Sequence, residues 1–83
     1  MGRRWRRRPF ANHRLRADDC RRHPRVWIEI GSYNGSQSAR RTARCIRLAD
    51  ELTHYAPAGA FEAKSRTVNG EYRVYARYVG APR

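Results

Sequence analysis

The chain has 83 residues, of which 19 are basic and 7 acidic, giving a formal net charge of +12. One small domain at most is expected; it buries only a modest share of its surface and leaves little room for a deep catalytic pocket. No run approaches the ~18 consecutive apolar residues of a transmembrane helix, so a soluble chain is expected, and no membrane is counted among its partners.

Of the basic residues only Lys64 is a lysine. Guanidinium groups suit planar, bidentate recognition of phosphate, although a GC-rich genome produces the same arginine bias. Either way a polyanion is the expected partner, with nucleic acid ahead of an anionic membrane or an acidic protein.

The opening MGRRWRRRPFANHRLR has the charged front of a secretion signal. Pro9, Asn12, His13 and Arg14 stand where its apolar region would follow, so secretion is not expected. Arg6 occupies the position at which a myristoylation motif needs Ser or Thr. Two cysteines are too few for a disulfide scaffold, and a reducing cytoplasm is the expected setting.

Residues 1–25 carry ten arginines against Asp18 and Asp19, a formal +8 that leaves +4 for residues 26–83. Trp5, Phe10 and Leu15 are interleaved with these arginines without a sustained period of 2 or 3.6. The composition predicts a basic arm over 1–25, disordered alone or folding on a partner, with a turn or two of helix within residues 12–22. Its candidate nucleic-acid contacts are Arg3, Arg4, Trp5, Arg6, Arg7, Arg8, Arg14 and Arg16.

After Pro24 the pattern changes. RVWIEIGSY places Val26, Ile28 and Ile30 on one face and Trp27 and Glu29 on the other, the alternation of a half-buried strand. Residues 31–38 carry turn and cap chemistry, with Asn34 and Gln37 spaced as a capping box and Ser36 as a competing cap. A helix is predicted from there to about Tyr55. Its apolar stripe is Ala39, Thr42, Ala43, Cys45, Ile46, Ala49 and Leu52; Arg40, Arg44, Arg47 and Glu51 lie opposite, with Arg47 and Glu51 paired across one turn.

Pro57 and Gly59 break the chain before AFEAKSRTV, Asn69-Gly70 and EYRVYARYV. Asn-Gly between alternating runs signals a hairpin whose type I′ turn needs positive φ at both central residues. The two-residue loop sets Val68 opposite Glu71, Arg66 opposite Arg73, Lys64 opposite Tyr75, and so on to Phe61 opposite Tyr78. Phe61, Ala63, Ser65, Thr67, Tyr72, Val74, Ala76 and Tyr78 are then assigned to the helix side. The other side shows Lys64, Arg66, Arg73, Tyr75 and Arg77, joined by Trp27 if the first strand lies beside the third. Cations around exposed rings are the chemistry of a single-strand platform, with bases stacked on aromatics and guanidinium groups on phosphates. Arg66 facing Arg73 is a like-charge pair that a bound anion would relieve.

The fold class expected is α+β: a small split β-α-β-β unit, with one helix on one face of a three-stranded antiparallel sheet, preceded by the arm. The segments IEIGSYNGSQSARRTARCIRLADEL and GEYRVYARYVG resemble the first half of a sporulation-related repeat, the SPOR family, through Gly31-Ser32-Tyr33, Ala39 and Tyr72-Arg73-Val74 to Gly80. That resemblance implies a third strand at the centre of the sheet and, for the family, glycan-strand binding; the family's second helix and fourth strand have no counterpart here. The arginine-rich style is also similar to that of small actinobacterial and phage proteins, which implies a nucleoprotein accessory or host-directed role.

Cys20 and His23, with Cys45 and His54, do not have the tight ligand pairs of a zinc site. No nucleophile has a positioned base, and no Gly-rich loop has Walker spacing. No enzyme activity, metal or cofactor is expected. The leading function is nucleic-acid binding, RNA or single-stranded DNA ahead of duplex DNA. The alternative is a protein-interaction module that grips an acidic protein or dimerises through a sheet edge.

Overall fold

The structure is a computed structural model, and it describes residues 12–80. In chain order the elements are α1 (His13–Arg22), β1 (Ile28–Tyr33), α2 (Ser36–Leu48), a 3-10 turn (Thr53–Tyr55), β2 (Phe61–Val68) and β3 (Glu71–Tyr78). The strands form one antiparallel sheet in the order β1-β3-β2, so the last strand is central. The α+β class holds, and the turn or two of helix expected within residues 12–22 is a ten-residue helix.

The hairpin has the predicted register from Val68–Glu71 to Phe61–Tyr78. Asn69 and Gly70 have φ of 52° and 79°, the positive values that a type I′ turn demands. Val74 and Ala76 on β3, with Phe61 and Ala63 on β2, are buried on the helix side. β1 departs from simple alternation. Ile28 faces Ala76 and Glu29 faces Tyr75, but Gly31 is next to pair, with Val74, leaving Ile30 as the extra residue of a bulge. The bulge keeps Ile30 in the core, 2% exposed, and moves Tyr33 opposite Tyr72 on the helix side. Val26, assigned to the same apolar face, lies before the strand and is exposed.

Ala39, Ala43, Cys45 and Ile46 of α2 are buried, as the stripe predicts. The helix stops well short of Tyr55, because Ala49 adopts a left-handed conformation and the N–H of Asp50 closes on the Cys45 carbonyl at 3.0 Å. Its start also differs from the expected one: the N-cap position is taken by Gly35, in an extended conformation, and not by Asn34 or Ser36. After the stop the chain turns back, so Tyr55 reaches the core through the 3-10 turn and is fully buried.

α1 is the main correction. Residues assigned to an arm that would fold only on a partner form a helix docked on the chain's own sheet. Asn12 caps it by accepting from the Leu15 N–H at 3.1 Å. Asp18–Arg21 and Asp19–Arg22 pair one turn apart on its outer side. Ala17 and Cys20 face the core, and the Cys20 thiol meets the Ala76 carbonyl at 3.6 Å. Burial pushes the pKa of that thiol up to about 11, so it stays protonated.

A file of rings ties α1 to the sheet. His13, Tyr55, Phe61 and Tyr78 meet edge to face in sequence, with centroids 5.5, 5.0 and 5.2 Å apart. His13 Nδ1 and the Tyr55 hydroxyl are hydrogen bonded at 2.8 Å. Arg21 adds a hydrogen bond to the His54 carbonyl at 2.9 Å while its guanidinium lies over the Phe61 ring. Both helices therefore press on one face of the sheet, and no described helix covers the other.

Two predictions follow from this packing. Ala49→Gly removes the crowding of a Cβ at φ 52° and is expected to stabilise the protein by about 0.5–1 kcal/mol in urea unfolding. Burial, reinforced by His54, lowers the His13 pKa from its ordinary value of 6.5. A depressed native pKa contributes stability above the ordinary value and loses it as pH falls through the native one. Thermal stability should therefore drop between about pH 7.5 and 5.5 by more in the natural protein than in His13→Gln; equal slopes would remove His13 as the cause.

Candidate nucleic-acid interface

The open side of the sheet is built by period-2 alternation along the central strand. Arg73, Tyr75 and Arg77 project from β3, Lys64 and Arg66 from β2, and Trp27 enters just ahead of β1. At the centre, Lys64 Nζ stands 4.1 Å from the Trp27 ring centroid and Arg77 Cζ 4.6 Å from it. The indole thus reaches across β3 toward β2 with two cations against its ring. Tyr75, opposite both Lys64 and Glu29, is half-buried beside it.

Carboxylates occupy the same face. Glu62 accepts from Arg77 Nε at 2.6 Å. Glu71 accepts from Arg73 Nε at 3.0 Å, and Glu29 lies 4.0 Å from the same guanidinium. Hydrogen bonds to Tyr75 and Glu71 raise the pKa of Arg73 further, so this cation is permanently charged. The face holds four cations against three carboxylates, whereas α1, α2 and their flanking loops hold nine arginines against four. The surplus positive charge of the described residues lies mainly on the helical side.

Sequence reasoning placed Arg66 and Arg73 side by side. Their backbones do pair, but the side chains part: Arg73 turns to Glu71 and Glu29, while Arg66 Nη1 donates to the Ser65 carbonyl at 3.0 Å. No anion is needed to relieve the pair. Arg66 also lines a cleft against α2, formed with Ser36, Arg40, Ser65, Thr67 and Tyr72.

The predicted contacts are thus divided. Trp27, Lys64, Tyr75, Arg73 and Arg77 come together on the open face. Arg66 sits at its rim. Arg14 and Arg16 belong to α1 on the opposite side of the sheet, Arg16 within 3.7 Å of Asp19. Arg3, Arg4, Trp5, Arg6, Arg7 and Arg8 lie outside the described residues.

On α2, Arg41 rather than Arg47 pairs with Glu51, at 3.2 Å. Arg47 instead donates to the Ala63 carbonyl at 3.1 Å. The sequence reading missed that cap on the β2 edge and the Arg40–Arg66 cleft. Only the register could have pointed to either, by setting the Ala63, Ser65 and Thr67 side chains toward α2.

Among the described residues no helix is long and apolar enough to cross a membrane. No group of three or more His, Cys, Asp or Glu side chains among them could hold a metal ion. Comparison with protein-family models, curated proteins and solved structures finds no match.

The carboxylates restrain the cations they pair with. Converting Glu62 and Glu71 together to Gln should tighten binding to a polyanion such as an oligothymidylate and steepen its salt dependence. Folding stability should change by no more than about 1 kcal/mol, since exposed ion pairs contribute little. Unaltered affinity would place polyanion binding elsewhere on the molecule.

Proposed function

We propose that the protein binds single-stranded nucleic acid, RNA or single-stranded DNA ahead of duplex DNA, across the open sheet face, and carries out no chemistry on it. The observation that supports this reading is the Trp27 ring with the cationic groups of Lys64 and Arg77 against it, beside Tyr75, on the face opposite both helices.

Rings serve a single strand because its bases are free to stack, and each stacked base contributes about 1–3 kcal/mol. Duplex DNA hides its bases and presents a dense row of phosphates, which favours a surface of unopposed cations. The near balance of charge on this face suits the first ligand better than the second. Phosphate contacts then fall to arginines without carboxylate partners in sequence, above all Arg3, Arg4, Arg6, Arg7 and Arg8, since the first acidic residue of the chain is Asp18. A cytoplasmic setting belongs to the same proposal, with two free, buried thiols consistent with it.

The alternative, an interaction module for an acidic protein or a second copy, has less support. Strand addition at β2 would have to displace Arg47 from the Ala63 carbonyl and Arg66 from the Ser65 carbonyl. A glycan strand, the ligand that the sporulation-related resemblance implies, would use the rings but leave the guanidinium groups without phosphates.

Replacing Trp27 and Tyr75 together by Ala is the direct test. Binding to a single-stranded oligonucleotide, measured by fluorescence anisotropy at fixed salt, should weaken by about 1–3 kcal/mol for each base that was stacked. Wild-type affinity in the double variant would end the platform reading. Retention of a protein partner after nuclease treatment would favour the alternative.

A further inference from the structure

Beyond the open face, we infer that the cleft between α2 and the end of the hairpin is a binding site for a single phosphate group, held by Arg40 and Arg66. The cleft is open to solvent on one side and offers about 130 Å³. A water molecule's share of the liquid is about 30 Å³, so a tetrahedral oxyanion of five heavy atoms fits.

Two separate elements furnish the lining. α2 contributes Ser36 and Arg40 from its first two turns; β2 contributes Ser65, Arg66 and Thr67, and β3 contributes Tyr72. No carboxylate is among the lining residues. This separates the cleft from the open face, where Arg73 and Arg77 are each already paired with a glutamate.

The two guanidinium groups have hydrogen-bonding capacity to spare. Arg40 is exposed and makes no ion pair or hydrogen bond among the described residues. Arg66 spends one donor on the Ser65 carbonyl, and a guanidinium has five. The Ser65 contact also draws the Arg66 head to the edge of the sheet, beside α2. Ser36, Ser65, Thr67 and Tyr72, four residues that carry a hydroxyl donor, line the same volume. Two charge-assisted contacts with several hydroxyl donors match the oxygens of phosphate, and guanidinium geometry favours it over a spherical halide.

The phosphate has two possible sources with one chemistry: a phosphodiester within a strand, or a terminal phosphomonoester. Neither requires the platform reading, because the cleft lies around the sheet edge from Trp27 and Tyr75.

The experiment is an amide NMR titration of the full chain with inorganic phosphate, against sodium chloride at matched ionic strength. Phosphate should shift the Ser36, Arg66 and Thr67 amides saturably, and Arg40→Gln/Arg66→Gln should weaken that response by about tenfold or more while leaving the rest of the spectrum in place. Thr67→Ala, which keeps both arginines, should weaken it by a smaller factor. An absent response, one that chloride reproduces, or one unchanged in the double arginine variant overturns the site.

Oligothymidylates with and without a 5′-phosphate then identify the source. Cleft shifts with both indicate a phosphodiester; shifts only with the phosphorylated strand indicate a terminal group. Oligonucleotide binding without any cleft response to phosphate refutes the site and spares the platform. A phosphate response without oligonucleotide binding does the reverse.

Discussion

The turn at Asn69 and Gly70 is the constraint on which the other features depend. Two consecutive residues at positive φ close the hairpin in two residues, and a loop that short leaves one register for the eight facing pairs of β2 and β3. A slip of a single residue would send Val74 and Ala76 to solvent and bring Arg73 and Arg77 under the helices. Because β3 also pairs with β1, its alternation decides which side of the whole sheet is apolar. Both the core and the Trp27 cluster on the open face descend from that one choice.

What the buried side then needs is helices that fit closely. Ala17, Ala39, Ala43, Ala60, Ala63 and Ala76 line the contact, with Cys20 resting on the Ala76 carbonyl. Short side chains bring helix and sheet backbones near each other but offer little apolar area apiece, about 25 cal/mol per Å². The larger groups Tyr55, Phe61, Ile30 and Ile46 fill the remaining space, and the edge-to-face file from His13 to Tyr78 fastens α1 where its own buried residues alone would hold it weakly. Two helices side by side occupy the apolar face of a three-stranded sheet, and the second face is left to polar and aromatic groups.

Much of this was legible in the sequence, in proportion to how local its cause is. The hairpin register, the first strand, the α2 stripe and the helix-facing residues all rest on periodicity and turn chemistry within a few residues. α1 was not legible as part of the fold, because only Ala17 and Cys20 of its ten residues are buried and neither stands out as apolar in a run of arginines. Its partners, Tyr55 and Ala76, lie far along the chain. The Asn12 cap and the spacing of Asp18 and Asp19 from Arg21 and Arg22 were the local signs of a helix, and they said nothing of where it docks. The early end of α2 depends on Ala49 adopting a conformation that alanine disfavours, and the bulge at Ile30 on β1 meeting Gly31 opposite Val74. For the candidate site, residue types and facing pairs were legible, but the final direction of long flexible side chains was not. Arg66 and Arg73 start as neighbours and end with different partners because each finds an acceptor within reach that propensity rules do not rank.

That divergence governs which cations are available to a ligand. Arg77 and Arg73 sit against Glu62 and Glu71, so a phosphate that takes either guanidinium must leave a carboxylate to water, an exchange of one anion for another with small net gain. On the proposed platform the favourable part of binding would therefore have to come from ring surface, with the Glu62 ion pair holding Arg77 near Trp27. Arg40 and the spare donors of Arg66 face no such exchange; they give up hydration alone. A chain with twelve more positive than negative side chains thus presents two kinds of surface, one where cations beside Trp27 and Tyr75 are paired with carboxylates, and one where Arg40 and Arg66 line a cleft without any.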